Sequence, residues 1–414
     1  MTKTNAEYWP RIIDGSIERS LAALGGVLID GPRASGKTET ASFHSSSSVR
    51  LDLDPSVLEL ARLVPEQVLA GAPPRAVDEW QLAPELWNVA RALIDQRRQP
   101  GQFIFTGSAT PADEITRHSG AGRFARSRMR TMSLFESRES NGQVSLQSLL
   151  DGRTSAGVSD LTVPGYASLA VRGGWPAIVT GHVQDAEEYI AAYVESITRA
   201  ELSAEQSKPD PIRMRELMRV LARNTATEVS LAKLAKEAEI NERTVRRYLD
   251  TLAGLFVLEE QPAWSPRLRS AVRKRVRPKW HFADPSIAGN LLHASPERFL
   301  GDLQTFGFMF ESLCVRDLRI YAQPIGGTVC HYRDESGLEV DAIVELPGGE
   351  WAAFEVKLGG VDAVDLAASN LLALAGKVDD PNRRLRSLNV LTAGVASYPR
   401  EDGVNVVSLG TLGP

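Results

Sequence analysis

Gly31-Pro32-Arg33-Ala34-Ser35-Gly36-Lys37-Thr38 fits the pattern G-x-x-x-x-G-K-[ST]. Val27-Leu28-Ile29 before it is an apolar run suited to a buried strand, and Gly36 to Ser42 can open a helix. A loop between a strand end and a helix N-terminus aims several backbone N–H groups at one spot, where the helix dipole also favours negative charge. In such a loop Lys37 reaches the β/γ-phosphates of a nucleoside triphosphate and the Thr38 hydroxyl sits on Mg²⁺. The candidate nucleotide-binding residues are therefore Gly31, Pro32, Arg33, Ala34, Ser35, Gly36, Lys37 and Thr38, with Glu39 next in line. The expected ligands are ATP or ADP with Mg²⁺.

A phosphate-binding loop needs a carboxylate for the metal and a group that orients the attacking water. Ala76-Val77-Asp78-Glu79 ends in such a pair, Asp78 for the metal and Glu79 for the water. Pro73, Pro74 and Arg75 leave little room for a strand before these acids, and a surface pair opening a Gln81–Ile94 helix is the alternative. Phe103-Ile104-Phe105-Thr106-Gly107-Ser108 reads as a buried strand ending in hydroxyl residues. Thr106 or Ser108 can bond the water or the γ-phosphate. Arg123 and Arg126, in Gly120-Ala121-Gly122-Arg123-Phe124-Ala125-Arg126, are candidates for the guanidinium that stabilises charge on a transferring phosphoryl group, often across a subunit boundary.

The chain has 414 residues, and single cores stop growing near ~250–300, so two or three domains are expected. No apolar run approaches the roughly 20 residues that span a bilayer. Met1 to Tyr8 are polar, and the two cysteines, Cys314 and Cys330, have no metal-like spacing. These features point to a cytoplasmic protein without membrane contact. A formal net charge of −5 restricts any nucleic-acid contact to a local patch. Strand-like and helical segments alternate to about 135, with strands at Val27–Ile29, Val49–Leu53 and Phe103–Phe105. That alternation predicts a parallel sheet with crossover helices. The Ser-, Gly- and Asp-rich stretch from about 136 to 164 reads as an interdomain connection.

In the middle, Ser230 caps a predicted short helix through Ala238, Glu239-Ile240-Asn241 turns, and a second helix starts at Glu242. Val245, Leu249 and Leu252 share one face of it, and Arg243, Arg246 and Arg247 lie toward another. This is helix-turn-helix spacing with the basic helix in the recognition position. Arg267, Arg269, Arg273, Lys274, Arg275, Arg277 and Lys279 then follow with no acid among them. A basic wing there, with Arg273, Lys274 and Arg275 at its centre, would track a DNA backbone. A helical lid with a solvated loop is the alternative.

Near the C-terminus, Val340–Leu346 and Trp351–Lys357 flank Pro347-Gly348-Gly349 in a hairpin pattern. A turn centred on Gly348 sets Asp341 opposite Glu355, with Lys357 on the same face and an apolar face behind. Two close carboxylates suit Mg²⁺ or Mn²⁺, and the lysine suits a scissile phosphate. Glu311, on a predicted helix over 306–318, can add a ligand. A salt-bridged surface hairpin is the alternative.

These regions, in this order, resemble a family of prokaryotic two-part ATPases with an N-terminal AAA-type domain and a C-terminal domain of unknown function similar to PD-(D/E)xK nucleases. The resemblance rests on Gly31–Thr38, the run Asp78–Leu86, Phe105–Ser108 and Ala121-Gly122-Arg123. It extends through Arg172-Gly173-Gly174-Trp175-Pro176, Thr244–Leu249 and Phe282-Ala283-Asp284-Pro285 to Glu339-Val340-Asp341 and Phe354–Lys357. It implies that Asp78 and Glu79 are the Walker B pair, Ser108 the sensor and Arg123 the arginine finger. It also implies that Asp341, Glu355 and Lys357, with Glu311 upstream, form a nuclease-like centre.

The expected fold is α/β throughout most of the chain. An AAA-type P-loop ATPase domain with a parallel sheet would span 1–150, a helical and winged-helix domain 165–285, and an α/β nuclease-like domain 286–414. The expected function is a Mg²⁺-dependent, homo-oligomeric ATPase that engages DNA. The rival is a nucleotide-gated scaffold with an inactive C-terminal centre, and a third reading makes that centre an active nuclease.

Overall fold

The computed structural model describes residues 8–108, 120–153, 156–199, 210–266, 276–378 and 384–414. The chain divides into two compact units. One takes the residues up to 131 with a short stretch at 252–256, and the other takes most of the remainder. The division falls at 131/132, earlier than the expected boundary at 150.

The first unit holds a five-stranded parallel sheet in the order β2-β3-β4-β1-β5. Its strands are β1 (Gly26–Asp30), β2 (Ser47–Arg50), β3 (Arg75–Asp78), β4 (Phe103–Gly107) and β5 (Phe124–Arg128). Strand β3 forms despite the prolines before it, because Arg75 to Asp78 are all that the sheet requires. Successive side chains point to opposite faces. Val27, Ile29, Ala76 and Ile104 therefore pack with Ile13, Ile17 and Ala41 on one side. Leu28, Val77, Phe103 and Phe105 pack with Trp80, Leu86, Trp87 and Ala90 on the other. Burial on both faces explains why β1 and β4 read as unbroken apolar runs. Because β4 lies between β1 and β3, the carboxyl ends of those three strands form one rim, where open α/β sheets bind ligands.

The second unit is built on a seven-stranded mixed sheet, β10-β11-β12-β13-β15-β14-β7. Its members are β7 (Gly157–Val158), β10 (Thr328–Arg333), β11 (Glu339–Glu345), β12 (Trp351–Lys357), β13 (Leu385–Thr392), β14 (Ala396–Pro399) and β15 (Val404–Ser408). Strand β6 (Val144–Ser145) pairs with β16 (Leu412–Gly413). The stretch from 136 to 164 thus contributes two strands to this unit and is not simply a connection. The unit also contains the helices Pro211–Arg223 and Leu231–Glu237 and most of Glu242–Gly254, followed by an antiparallel ribbon of β8 (Leu258–Gln261) and β9 (Lys279–Phe282). Ser230 caps the second of these helices by accepting from Lys233 N at 3.1 Å.

A buried ion cluster holds this unit together. Arg316, on the Leu303–Ala322 helix, donates to Asp284 Oδ2 at 3.0 Å and to Asp317 Oδ1 at 2.8 and 2.9 Å. Asp284 also accepts from Gly174 N at 2.9 Å and Asp317 from Leu134 N at 3.0 Å. Gly173 has φ of 74°, and a Cβ there would strike Asp284 and Ser286. A Cβ on Gly174 would strike the Met132 carbonyl. The Gly-Gly pair and the distant Asp284 are thus one construction, since only bare backbone comes close enough to be held by the carboxylate. Arg316→Ala would strand two buried carboxylates. The expected loss is about 3–5 kcal/mol of stability in urea unfolding, and an unchanged midpoint would contradict the pairing.

Candidate functional site

The nucleotide-binding candidates converge on the rim. The helix Lys37–Phe43 starts directly after Gly36, whose φ of 98° turns the loop into it. Gly31 needs the absence of a side chain for another reason: a Cβ there would run into the Met129 carbonyl. Lys37 is buried, and its Nζ donates to the carbonyls of Gly31 at 3.0 Å and Pro32 at 2.8 Å. Ser35 Oγ donates to Pro32 O at 2.9 Å. Thr38 Oγ1 donates to Asp78 Oδ2 at 2.8 Å, and the other Asp78 oxygen accepts from Thr106. Arg33, Ala34 and Glu39 are exposed.

Glu79 takes a left-handed backbone conformation, φ 55° and ψ 43°. That conformation is uncommon for a residue with a side chain and clusters at functional sites. Its carboxylate accepts from Ser108 Oγ at 3.0 Å and from Gln81. Of the hydroxyl alternatives, Thr106 therefore meets Asp78 and Ser108 meets Glu79. The alternative of a surface pair opening a helix is not found, because Asp78 ends β3 and is buried.

Arginines also flank the site: Arg126 was a candidate, whereas Arg11, Arg50 and Arg128 were not expected there. Arg50 Nε lies 3.5 Å from Asp78 Oδ2. Arg126 and Arg128 meet Asp30, the residue before Gly31, at 3.1 and 2.6 Å. Arg11 donates to the carbonyls of Ser35 and Arg130, each at 2.9 Å, and so braces the loop from the N-terminal side. Arg123 is not brought to the loop. It precedes β5 at the end of the sheet away from the rim and pairs with Asp95 at 2.9 Å.

The site fits a nucleotide by its charge. Burial pushes the Lys37 ammonium down to about 8, with Glu79, Asp78 and Asp30 pulling it back up. Its direct partners are neutral carbonyls, so an arriving polyphosphate supplies the anion it lacks. Thr38 and Asp78 present two oxygens side by side, a donor set that suits a hard divalent cation.

In the second unit the helix Glu242–Gly254 buries Val245, Tyr248, Leu249 and Leu252 and exposes Arg243, Arg246 and Arg247, as its periodicity predicts. Arg273, Lys274 and Arg275 lie outside the described residues. Lys279 departs from the expectation of a basic wing: it is only 5% exposed and points into the acidic cluster.

That cluster gathers all the expected residues but differs in surroundings. The β11–β12 ladder pairs Glu345 with Trp351 and Ala342 with Phe354, the predicted register. On its other side β11 bulges. Cys330 pairs with Ile343 and Tyr332 with Val340, so Asp341 and Ala342 together oppose His331. Asp341 Oδ2 accepts from Val356 N at 2.9 Å. Lys357 Nζ lies 2.7 Å from Glu355 and 3.5 Å from Asp341, while Lys279 Nζ lies 2.6 Å from Glu311 and 3.4 Å from Asp341. The open carboxylate face predicted from the alternation is absent, since Glu355 and Glu311 are 3% and 7% exposed. Among the described residues no group of three or more His, Cys, Asp or Glu side chains is placed to hold a metal ion. Burial and Asp341 push Glu311 up to about 8 and Glu355 up to about 7. Burial also opposes ionisation of Asp341, but Lys279 and Lys357 hold it below the usual carboxylate range.

Residues 25–137 match a family described as AAA domain, and residues 164–298 and 306–412 match two domains of unknown function, DUF8612 and DUF4143. Two uncharacterized proteins, from Mycobacterium bovis and Mycobacterium tuberculosis, are each 25% identical over 396 residues, covering 94% of this chain and 81% of theirs. Among solved structures, AMPPCP-bound DnaA from Aquifex aeolicus is 13% identical with a TM-score of 0.25, covering 58% of this chain and 86% of that one. Thermotoga maritima RuvB T158V is 16% identical with a TM-score of 0.26, covering 60% and 89%. Such low TM-scores bear on neither fold nor function. The AAA match and the rim geometry together make the N-terminal part an AAA-type P-loop domain. Among the described residues no helix is long and apolar enough to cross a membrane.

The Lys37 shift has a sign that can be read in solution. Below about pH 8 the ammonium is charged before nucleotide arrives; above it, binding must take up a proton. ATP affinity is therefore expected to fall about tenfold between pH 7 and pH 9. Calorimetry in buffers of different ionisation enthalpy would register the proton uptake, and a flat profile would refute it.

Proposed function

We propose that this protein is a Mg²⁺-dependent ATPase that engages DNA through its middle region and carries a nuclease-like module in its C-terminal third. The observation that carries the ATPase reading is the chain of contacts Thr38–Asp78–Thr106 beside the buried Lys37, on the rim of a parallel sheet. Lys37 and the loop amides bind the β/γ-phosphates. Thr38 and Asp78 hold the metal, which when bound neutralises charge shared by the phosphate oxygens. Glu79, positioned by Ser108 and Gln81, orients the attacking water. Lys37→Ala is expected to abolish turnover. Glu79→Gln is expected to keep ATP binding and lower turnover by about 100-fold or more. Normal turnover in Lys37→Ala would end the assignment.

Arg123 lies away from its own chain's loop, which supports a role only in a neighbouring copy, as an arginine finger in a homo-oligomer. DNA engagement is supported by the Leu231–Glu237 and Glu242–Gly254 pair, with three arginines exposed on the second helix, and by the antiparallel ribbon after it. Binding through these side chains is expected to weaken steeply with salt. Replacing Arg243, Arg246 and Arg247 together by Ala should cut the log–log salt slope by roughly three. An unchanged slope in fluorescence anisotropy would place DNA elsewhere.

A further inference from the structure

The C-terminal carboxylates alternate with ammonium groups along one line: Glu311, Lys279, Asp341, Lys357, Glu355. Lys357 comes from the same hairpin as two of the acids. Lys279 does not. It opens β9, and it is the group that joins Glu311 to Asp341. A metal bridging those two carboxylates would stand where the Lys279 Nζ stands. The lysine is held there firmly. Its neighbour on β9, His281, is buried between Ser312 at 3.2 Å and Gln261 at 2.9 Å, and Gln261 in turn donates to the backbone carbonyls of Cys330 and Asp341. Strand β9 pairs along its whole length with β8, Lys279 with Gln261. The ammonium is thus delivered by a strand whose partner, β8, grips the bulge that carries Asp341 through Gln261. The remaining valences of Asp341 are also taken, by Val356 N–H and by Lys357.

We propose that Lys279 is the resident cation of this centre, and that it keeps divalent metal out and phosphodiester cleavage off. The inference rests on reading the cluster as a nuclease-like carboxylate–lysine centre. Two fixed ammonium groups offset most of the charge that the three carboxylates carry when ionised. A divalent ion would have to displace a positive charge that costs a great deal to leave unpaired in the interior. Removing that charge while keeping the side chain's bulk should turn the cluster into a metal site.

The test is Mn²⁺ binding to the nucleotide-free full chain, followed by electron paramagnetic resonance and calorimetry, with Asp341→Asn as the reference for this site. The wild type is expected to show no Mn²⁺ binding that Asp341→Asn removes. Lys279→Met is expected to gain one Mn²⁺ with affinity raised about tenfold or more, and Lys279→Met with Asp341→Asn to lose it again. Lys279→Gln serves in its place if the Met variant does not fold. A wild-type Mn²⁺ site abolished by Asp341→Asn would overturn the proposal, as would a folded Lys279 variant that gains none. ATP turnover measured on the same preparations separates the two readings. Its absence would sink the ATPase assignment and leave the Mn²⁺ comparison standing.

Discussion

Buried charge must be matched, and that requirement shapes both units. Asp78 is the clearest instance in the first. It is nearly inaccessible, and its two oxygens are satisfied by hydroxyls from Thr38 and Thr106, on the P-loop helix and on β4. Those hydroxyls tie three carboxyl ends of the sheet into one site. Were Asp78 apolar, the strands would still pair and Ala41 would still share a core with Ala76, but Thr38 would lose its tie to the end of β3. In the second unit Arg316 does the same for Asp284 and Asp317, and through them for Gly174 and Leu134.

The nucleotide site was largely legible because its determinants are local. A glycine-flanked lysine after an apolar run fixes strand, loop and helix within a dozen residues. The pairing of Asp78 with Thr106, and of Glu79 with Ser108, could be narrowed only to alternatives, since it depends on β4 lying between β1 and β3. The braces from Arg11 and Arg128 carried no signal, because an arginine's reach is set by tertiary distance and not by spacing. Periodicity placed the arginine face of the Glu242–Gly254 helix correctly for the opposite reason: one helix suffices to define it.

The C-terminal cluster shows where alternation fails. The β11–β12 register follows from the turn, and so Asp341 and Glu355 were brought together in advance. Exposure was misjudged because alternation distinguishes a polar face from an apolar one but cannot tell solvent from an ion-paired interior. The bulge opposite His331 and the arrival of β9 are non-local events. Lys279 looked like the last member of a basic run, and within that run nothing distinguishes it from Arg277, which is exposed.

The two buried lysines obey one rule with opposite outcomes. Lys37 faces backbone carbonyls, so burial dominates and its proton is loosely held. Lys279 faces two carboxylates that outweigh an equally deep burial, and its proton is held more tightly than in water. A buried ammonium short of anions is a receptor, because a phosphate arriving from solvent completes it. A buried ammonium already between anions is a counter-ion, because nothing from solvent improves on what it has. The same side chain thus makes one rim receptive and closes the other cluster, and the sign of the shift separates the two roles where the residue name cannot.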